Sequence, residues 1–151
     1  MPIGQIHPDW WGAQAFVGYL NSINYGGSKQ WSLPSTPDND SSIGIYKTNS
    51  QLGELYYNEL GGIVGYPIPE NSLFSHEVDG YWSSNDSISN PYQGWIFDTS
   101  NGGQTRGLKD YQLYAWAVSP GNLNSSVPEP GIIWLLGSGF LGLLGLKRHK
   151  Q

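Results

Sequence analysis

Cysteine is absent from this 151-residue chain. Its absence excludes a disulfide framework, a thiolate metal site and a cysteine nucleophile. Charge is also scarce, at 13% of residues, and positive charge is scarcest. Up to Ser126 four basic residues (Lys29, Lys47, Arg106, Lys109) are scattered among eleven acidic ones, a formal net charge near −7. Binding a phosphate backbone needs clustered Lys or Arg, so this pattern argues against nucleic acid as a partner. Histidine is sparse too: His7, His76 and His149 lie far apart in the chain. No Gly-x-Ser-x-Gly, His-Glu-x-x-His or P-loop pattern occurs. Two carboxylates can always pair, but no spacing singles a pair out. The residues therefore point away from an enzyme.

Aromatic residues are abundant instead. Up to Ser126 there are six Trp, ten Tyr and three Phe. Each buries a large area, so a body of roughly 126 residues can close a real core without disulfides. Many Gly, Ser and Asn residues predict a loop-rich domain. The frequency of aromatic and aliphatic residues argues against disorder.

Apolar periodicity predicts two helices followed by strands. Ala13, Phe16, Val17 and Leu20 share one helical face, with Asp9 as N-cap and Asn24, Gly26 and Gly27 as the stop. A second helix is expected over Gln51 to Leu60, capped by Asn49 or Ser50 and stopped by Gly61-Gly62, burying Leu52, Leu55, Tyr56 and Leu60. Residues 35–49 and the Pro67/Pro69 region read as loops. From Leu73 onward the pattern turns to strand. Candidate strands centre on Phe74, Tyr81 to Ser84, Gly94 to Asp98, Gln104 to Lys109 and Tyr114 to Val118. Ser100-Asn101-Gly102-Gly103 supplies the strongest hairpin signal. Helices first and strands after give an α+β domain.

The C-terminus differs in kind. Gly131 to Leu146 (GIIWLLGSGFLGLLGL) carries no charge, and Lys147, Arg148, His149 and Lys150 follow at once. Sixteen helical residues span roughly 24 Å, short of the ~30 Å hydrocarbon core by an amount that flanking residues or local thinning can supply. A basic cluster directly after an apolar run marks the cytoplasmic side, which places the body on the outer side. Pro128 and Pro130 interrupt any helix ahead of the run. A buried core helix fits poorly, having no polar face; physics alone leaves open a plain C-terminal anchor. Met1 to Trp11 (MPIGQIHPDWW) has neither the basic start nor the apolar stretch of a signal peptide. The start of the translated protein is therefore expected upstream, or the chain is a fragment.

Val127-Pro128-Glu129-Pro130, a Gly-rich apolar run and an Arg/Lys finish resemble the PEP-CTERM sorting signal of Gram-negative bacteria. The resemblance implies that an exosortase, a membrane transpeptidase-like enzyme, reads Val127, Pro128, Glu129 and Pro130 as a substrate site. Lys147, Arg148 and Lys150 would be the membrane stop. The division expected is a body over 1–121, a linker over 122–126, and a sorting signal over 127–151 with a transmembrane helix at 131–146.

The body in turn resembles the DUF1566 family, also called the Lcl C-terminal domain. The residues carrying this are Trp11 to Leu20, Tyr25-Gly26-Gly27, Trp31 to Thr36, Glu59-Leu60-Gly61, Tyr81 to Ser84, Trp95-Ile96-Phe97 and Tyr114 to Val118. The family usually has Arg where Ser32 and Ser119 stand here. The resemblance implies a C-type-lectin-like fold lacking its N-terminal part: two helices on small twisted antiparallel sheets, with long loops. Related enzymes on such folds, of the formylglycine-generating type, depend on cysteines that this chain lacks.

Two binding chemistries stay open. Asp38, Asp40 and Asp86 lie in loop or strand-end positions that could supply oxygen ligands to calcium; the alternative is turn residues bonding their own backbone. Trp10, Tyr46, Tyr92 and Tyr111 are candidates for an exposed sugar-stacking surface, while the resemblance implies that Trp31, Trp82, Trp95 and Trp116, at its motif positions, lie in the core. The reading is a non-catalytic, exported surface protein. It would be held in the inner membrane by its span, processed by an exosortase, and then associated with the cell surface or extracellular polysaccharide. Rivals are a secreted carboxylate-based hydrolase and a ligand-free structural envelope protein.

Overall fold

The structure is a computed structural model in which residues 7–70 and 79–120, and the backbone of 132–133, are described. Helix α1 spans Trp10–Ser22. It starts where expected: Asp9 is extended, and its carboxylate accepts from the Gly12 amide at 2.7 Å, satisfying one of the first-turn donors. It stops where Asn24 turns left-handed (φ 51°) and a 3₁₀ turn, Tyr25–Gly27, redirects the chain. Helix α2 spans Gln51–Glu54; Ser50, not Asn49, caps it by accepting from Gly53 at 2.9 Å. The expected uniform helix to Leu60 instead widens into a π-helical turn over Leu55–Glu59, closed by Leu60 N–H donating to Leu55 at 2.9 Å. Gly61, at φ +68°, ends it.

Strands β1 (Gly80–Asp86), β2 (Gln93–Asp98) and β3 (Gly103–Leu108) form an antiparallel sheet in the order β1-β2-β3. The β2–β3 hairpin turns on Asp98. Its carbonyl accepts from Gly102 at 2.8 Å, and its carboxylate accepts from the Ser100 amide and the Asn101 side chain, each at 2.8 Å. Gly102 sits at φ +77°, and a Cβ there would stand 2.5 Å from the Tyr57 hydroxyl. Only glycine fits both the turn and the close approach.

Successive strand residues point to opposite faces, and this alternation separates two cores. Trp82 pairs with Ile96 in register, and these join Ala13, Val17, Leu20, Trp31, Leu33 and Ala117 beneath α1. Tyr81 pairs with Phe97, and these join Leu52, Leu55, Tyr56, Ile68, Trp116 and Val118 beneath α2. The sheet is thus covered on both faces. Trp31, Trp82, Trp95 and Trp116 are all buried, as expected. Fully burying a large apolar side chain contributes roughly 1.5–3 kcal/mol, so aromatic burial stabilises a chain that has no disulfides.

Tyr114 to Val118 departs from expectation by not forming a strand. Tyr114 bridges Tyr81 in parallel, whereas Val118 bridges Ser32 in antiparallel fashion. The segment crosses between two partners instead of running along one, so no ladder extends, and Trp116, Ala117 and Val118 are buried in succession. Ser119–Pro120, near the end of the expected body, is a short strand, β4, paired with β5 (Ile132–Ile133). Ile132 and Ile133 fall inside the expected transmembrane helix, so at these two positions the backbone is extended; β-branched residues favour that conformation. The remainder of 131–146, and the strand centre at Phe74, lie outside the described residues. Among the described residues no helix is long and apolar enough to cross a membrane.

Candidate functional site

Asp38 and Asp40 sit in the loop that crosses the α2 side of the sheet, beside Trp95 and Arg106. Trp95 and Arg106 are register partners on β2 and β3, and the guanidinium lies 4.7 Å from the Trp95 ring centroid. Asp38 accepts from the Trp95 indole at 2.7 Å and from the Ile88 amide at 2.6 Å, and its carboxylate lies 3.7 Å from Arg106 Nε. Arg106 also donates to Asp40 at 3.1 Å and to Ser89 at 3.2 Å. The arginine fork therefore staples the 38–42 loop and the 87–89 turn to the sheet. Asp86 is engaged separately: Lys109 Nζ lies 2.7 Å from its carboxylate and 4.2 Å from the Trp10 ring centroid. The three carboxylates considered for calcium thus answer to two different side-chain cations. Among the described residues no three His, Asp or Glu side chains gather as a metal would require.

The aromatic candidates divide. Trp10 is partly buried, not an exposed platform: its indole donates to Ser83 at 3.0 Å, and its ring occupies space over Gly94 that a Cβ would enter at 2.7 Å. Tyr92 and Tyr111 are exposed and flank Lys109. Lys109 donates its amide to Tyr92, and its carbonyl accepts from Trp10. Tyr46 is 69% exposed and adopts φ +57°, a left-handed conformation that costs a residue with a Cβ. Its ring stacks on Tyr57 at 5.7 Å and 30°.

Sequence reasoning missed the neighbours that complete this second region. Tyr57 receives the Tyr46 amide at 3.0 Å and donates to Gly102 at 2.6 Å. Tyr56 bonds the carbonyls of Ile63 (2.7 Å) and Tyr66 (2.5 Å). Burial raises the pKa of both Tyr56 and Tyr57, so both hydroxyls stay protonated as donors at neutral pH. Ile63 and Tyr66 are exposed. The available signal was Tyr57 falling off the buried stripe of its helix, and Tyr66 between Gly65 and Pro67. Trp11, also exposed, likewise falls off the Ala13-Val17-Leu20 stripe.

Ser32 and Ser119, where arginine was expected from the resemblance, lie near the end of the described body. Ser32 exchanges backbone bonds with Val118 at 2.8 and 2.9 Å, and the Ser119 hydroxyl shares a 2.7 Å bond with Ser28. The body is therefore folded up to the threshold of the C-terminal segment.

This is an α+β body that leads directly into a distinct C-terminal signal. Residues 126–148 match the family model described as the PEP-CTERM protein-sorting motif. That match takes in Val127, Pro128, Glu129, Pro130, Lys147 and Arg148, and leaves Lys150 two residues beyond its end; all seven lie outside the described residues. The motif marks a C-terminal sorting signal of an exported, exosortase-processed protein. No curated protein and no solved structure matches the chain. Nothing in these comparisons supports the DUF1566 resemblance of the body, and the α+β architecture by itself does not establish a lectin-like fold.

Proposed function

We propose that this chain is a non-catalytic surface protein whose body is delivered by the sorting signal and then associates with extracellular polysaccharide. The observation that carries the reading is the sorting motif at 126–148, directly behind a body whose last buried residues are Trp116 to Ser119. Residues 121–126 separate Pro120 from Val127; fully extended, they reach about 20 Å. The exosortase therefore works close to an already folded domain. In this reading Ile132 and Ile133 leave their pairing with Ser119–Pro120, residues 131–146 hold the body at the inner membrane, and processing at Pro128-Glu129-Pro130 passes it to the surface. The order of Trp, Tyr and Gly motifs along the body supports a DUF1566-type, lectin-like domain. Exposed tyrosines on a rigid scaffold support binding over catalysis. The reading includes no cofactor: Asp38 and Asp40 share Arg106, and Asp86 pairs with Lys109.

Delivery is tested by expressing Glu129→Ala and a truncation lacking 127–151 in a host with an exosortase. The expected result is unprocessed, membrane-retained protein for the first and release from the membrane for the second. Normal processing of Glu129→Ala, or unchanged membrane retention of the truncation, would refute the reading. Incubating the full chain with polysaccharides tests the body: binding without product is expected, and product formation would make it a hydrolase.

A further inference from the structure

We infer that the surface formed by Tyr46, Ile63 and Tyr66, backed by Tyr57, is the body's carbohydrate-stacking site, and that it takes a neutral polysaccharide. The inference rests on the proposed matrix association and assigns it a place. Tyr46 holds a left-handed backbone although nothing about its ring requires burial. Backbone strain of this kind persists only where surrounding structure over-determines it, and it concentrates at ligand clamps. Here the over-determination is visible. Gly44, two residues earlier, exchanges both backbone bonds with Gln104 on β3 at 2.9 and 2.8 Å. The Tyr46 amide is tied to the Tyr57 hydroxyl, which is tied in turn to Gly102. The result is a ring held 69% exposed on a fixed aromatic base.

The backbone that carries a second exposed tyrosine, Tyr66, is anchored through the same base. Tyr57 meets Tyr56 edge-on at 4.7 Å, and the Tyr56 hydroxyl holds the carbonyls on either side of the turn that presents Ile63 and Tyr66. Gly65 secures that turn to the hairpin through its amide to Asn101 at 2.9 Å. Tyrosine joins a flat apolar face to a hydroxyl and loses little conformational entropy on contact. A pyranose ring has the matching chemistry, a C–H face for stacking and a hydroxyl edge. Charge selects among polysaccharides. The body is strongly acidic; Arg106 and Lys109 are tied to carboxylates, and Lys47 beside Tyr46 is a single cation against a net charge near −7. A polyanion is therefore repelled, and a neutral chain is not.

The test is calorimetric titration of the full chain in detergent with a neutral glucan (dextran), a β-linked oligosaccharide (cellohexaose) and alginate as the acidic control. Tyr46→Gly removes the ring and relieves the strain together. The expected result is binding of a neutral probe, no binding of alginate, and at least a tenfold affinity loss in Tyr46→Gly with an unchanged or raised thermal midpoint. Trp11→Ala, on the other side of the sheet, should bind as the parent does. Parent-like binding by Tyr46→Gly overturns the site while leaving matrix association standing. No binding of any probe by the parent overturns both. A lowered midpoint in Tyr46→Gly makes Tyr46 a structural residue and overturns the site. A parent dimer that Tyr46→Gly dissociates in sedimentation makes the patch a contact between copies, with the same consequence.

Discussion

The two faces of the central sheet are closed by different physics. The α1 face is closed by apolar side chains at helical spacing: Ala13, Val17 and Leu20 meet Trp82 and Ile96. The α2 face has only a short helix with one widened turn, so its remaining area is closed by the 38–46 and 61–68 loops. Loops bring unpaired backbone groups with them, and here some of these are met by the side chains of Tyr56, Tyr57 and Gln104, while Arg106 holds the Asp38 and Asp40 side chains. A face closed by periodicity resists local change; a face closed by loops can present side chains in unusual conformations, and the strained Tyr46 is on that face.

The contrast can be broken at several points. The largest effect is expected from Trp82→Ala beneath α1, which should lower stability by about 3–5 kcal/mol through the cavity it leaves. Urea unfolding checks it, and the loss should be cooperative across both faces because they share one sheet. Arg106→Ala should cost about 2 kcal/mol, since it strands the partly buried Asp38 and uncovers Trp95. Arg106→Lys should recover only part, because a point charge cannot reach Asp38, Asp40 and Ser89 together. Amide exchange should then quicken first in the 38–46 loop, with α1 unaffected.

Tyr56→Phe should cost about 1 kcal/mol by removing the hydroxyl held between Ile63 and Tyr66. It also sharpens the pH behaviour. The folded pKa values of Tyr56 and Tyr57 are raised, chiefly by burial. Their stabilising contribution is full below the unfolded tyrosine value of about 10. It falls as pH rises from there through the folded values, because the unfolded chain releases protons that the folded chain retains. Thermal midpoints from pH 8 to 11 should fall less steeply in a Tyr56→Phe/Tyr57→Phe variant. The smallest effect is expected from Asp9→Ala, about 1 kcal/mol or less from the lost cap, read as fraying of the first turn of α1.

Legibility followed the same division. Both helix starts and the hairpin at Asp98 to Gly103 were readable because caps and turns are local chemistry, whereas the four core tryptophans were expected from their places in the resembled motifs. Tyr114 to Val118 misled because alternation looks the same whether a segment pairs with one strand or crosses between two. Trp10 looks like a loop aromatic in the sequence because the glycine that receives it, Gly94, lies far along the chain. Asp38, Asp40 and Asp86 suggested calcium because a carboxylate's partner cannot be read from its neighbours in sequence.

By itself the sequence determined destination and class: the Pro-Glu-Pro motif, apolar run and basic finish form a linear signal, and helix and strand order follow from local periodicity. Only the tertiary structure decided which aromatics are walls and which are surface. It also decided which cations the loop carboxylates meet, and that Tyr46 is held in a strained conformation beside Tyr57. Those outcomes depend on contacts such as Tyr57 with Gly102 and Arg106 with Asp40, between residues that share no neighbourhood until the chain has folded.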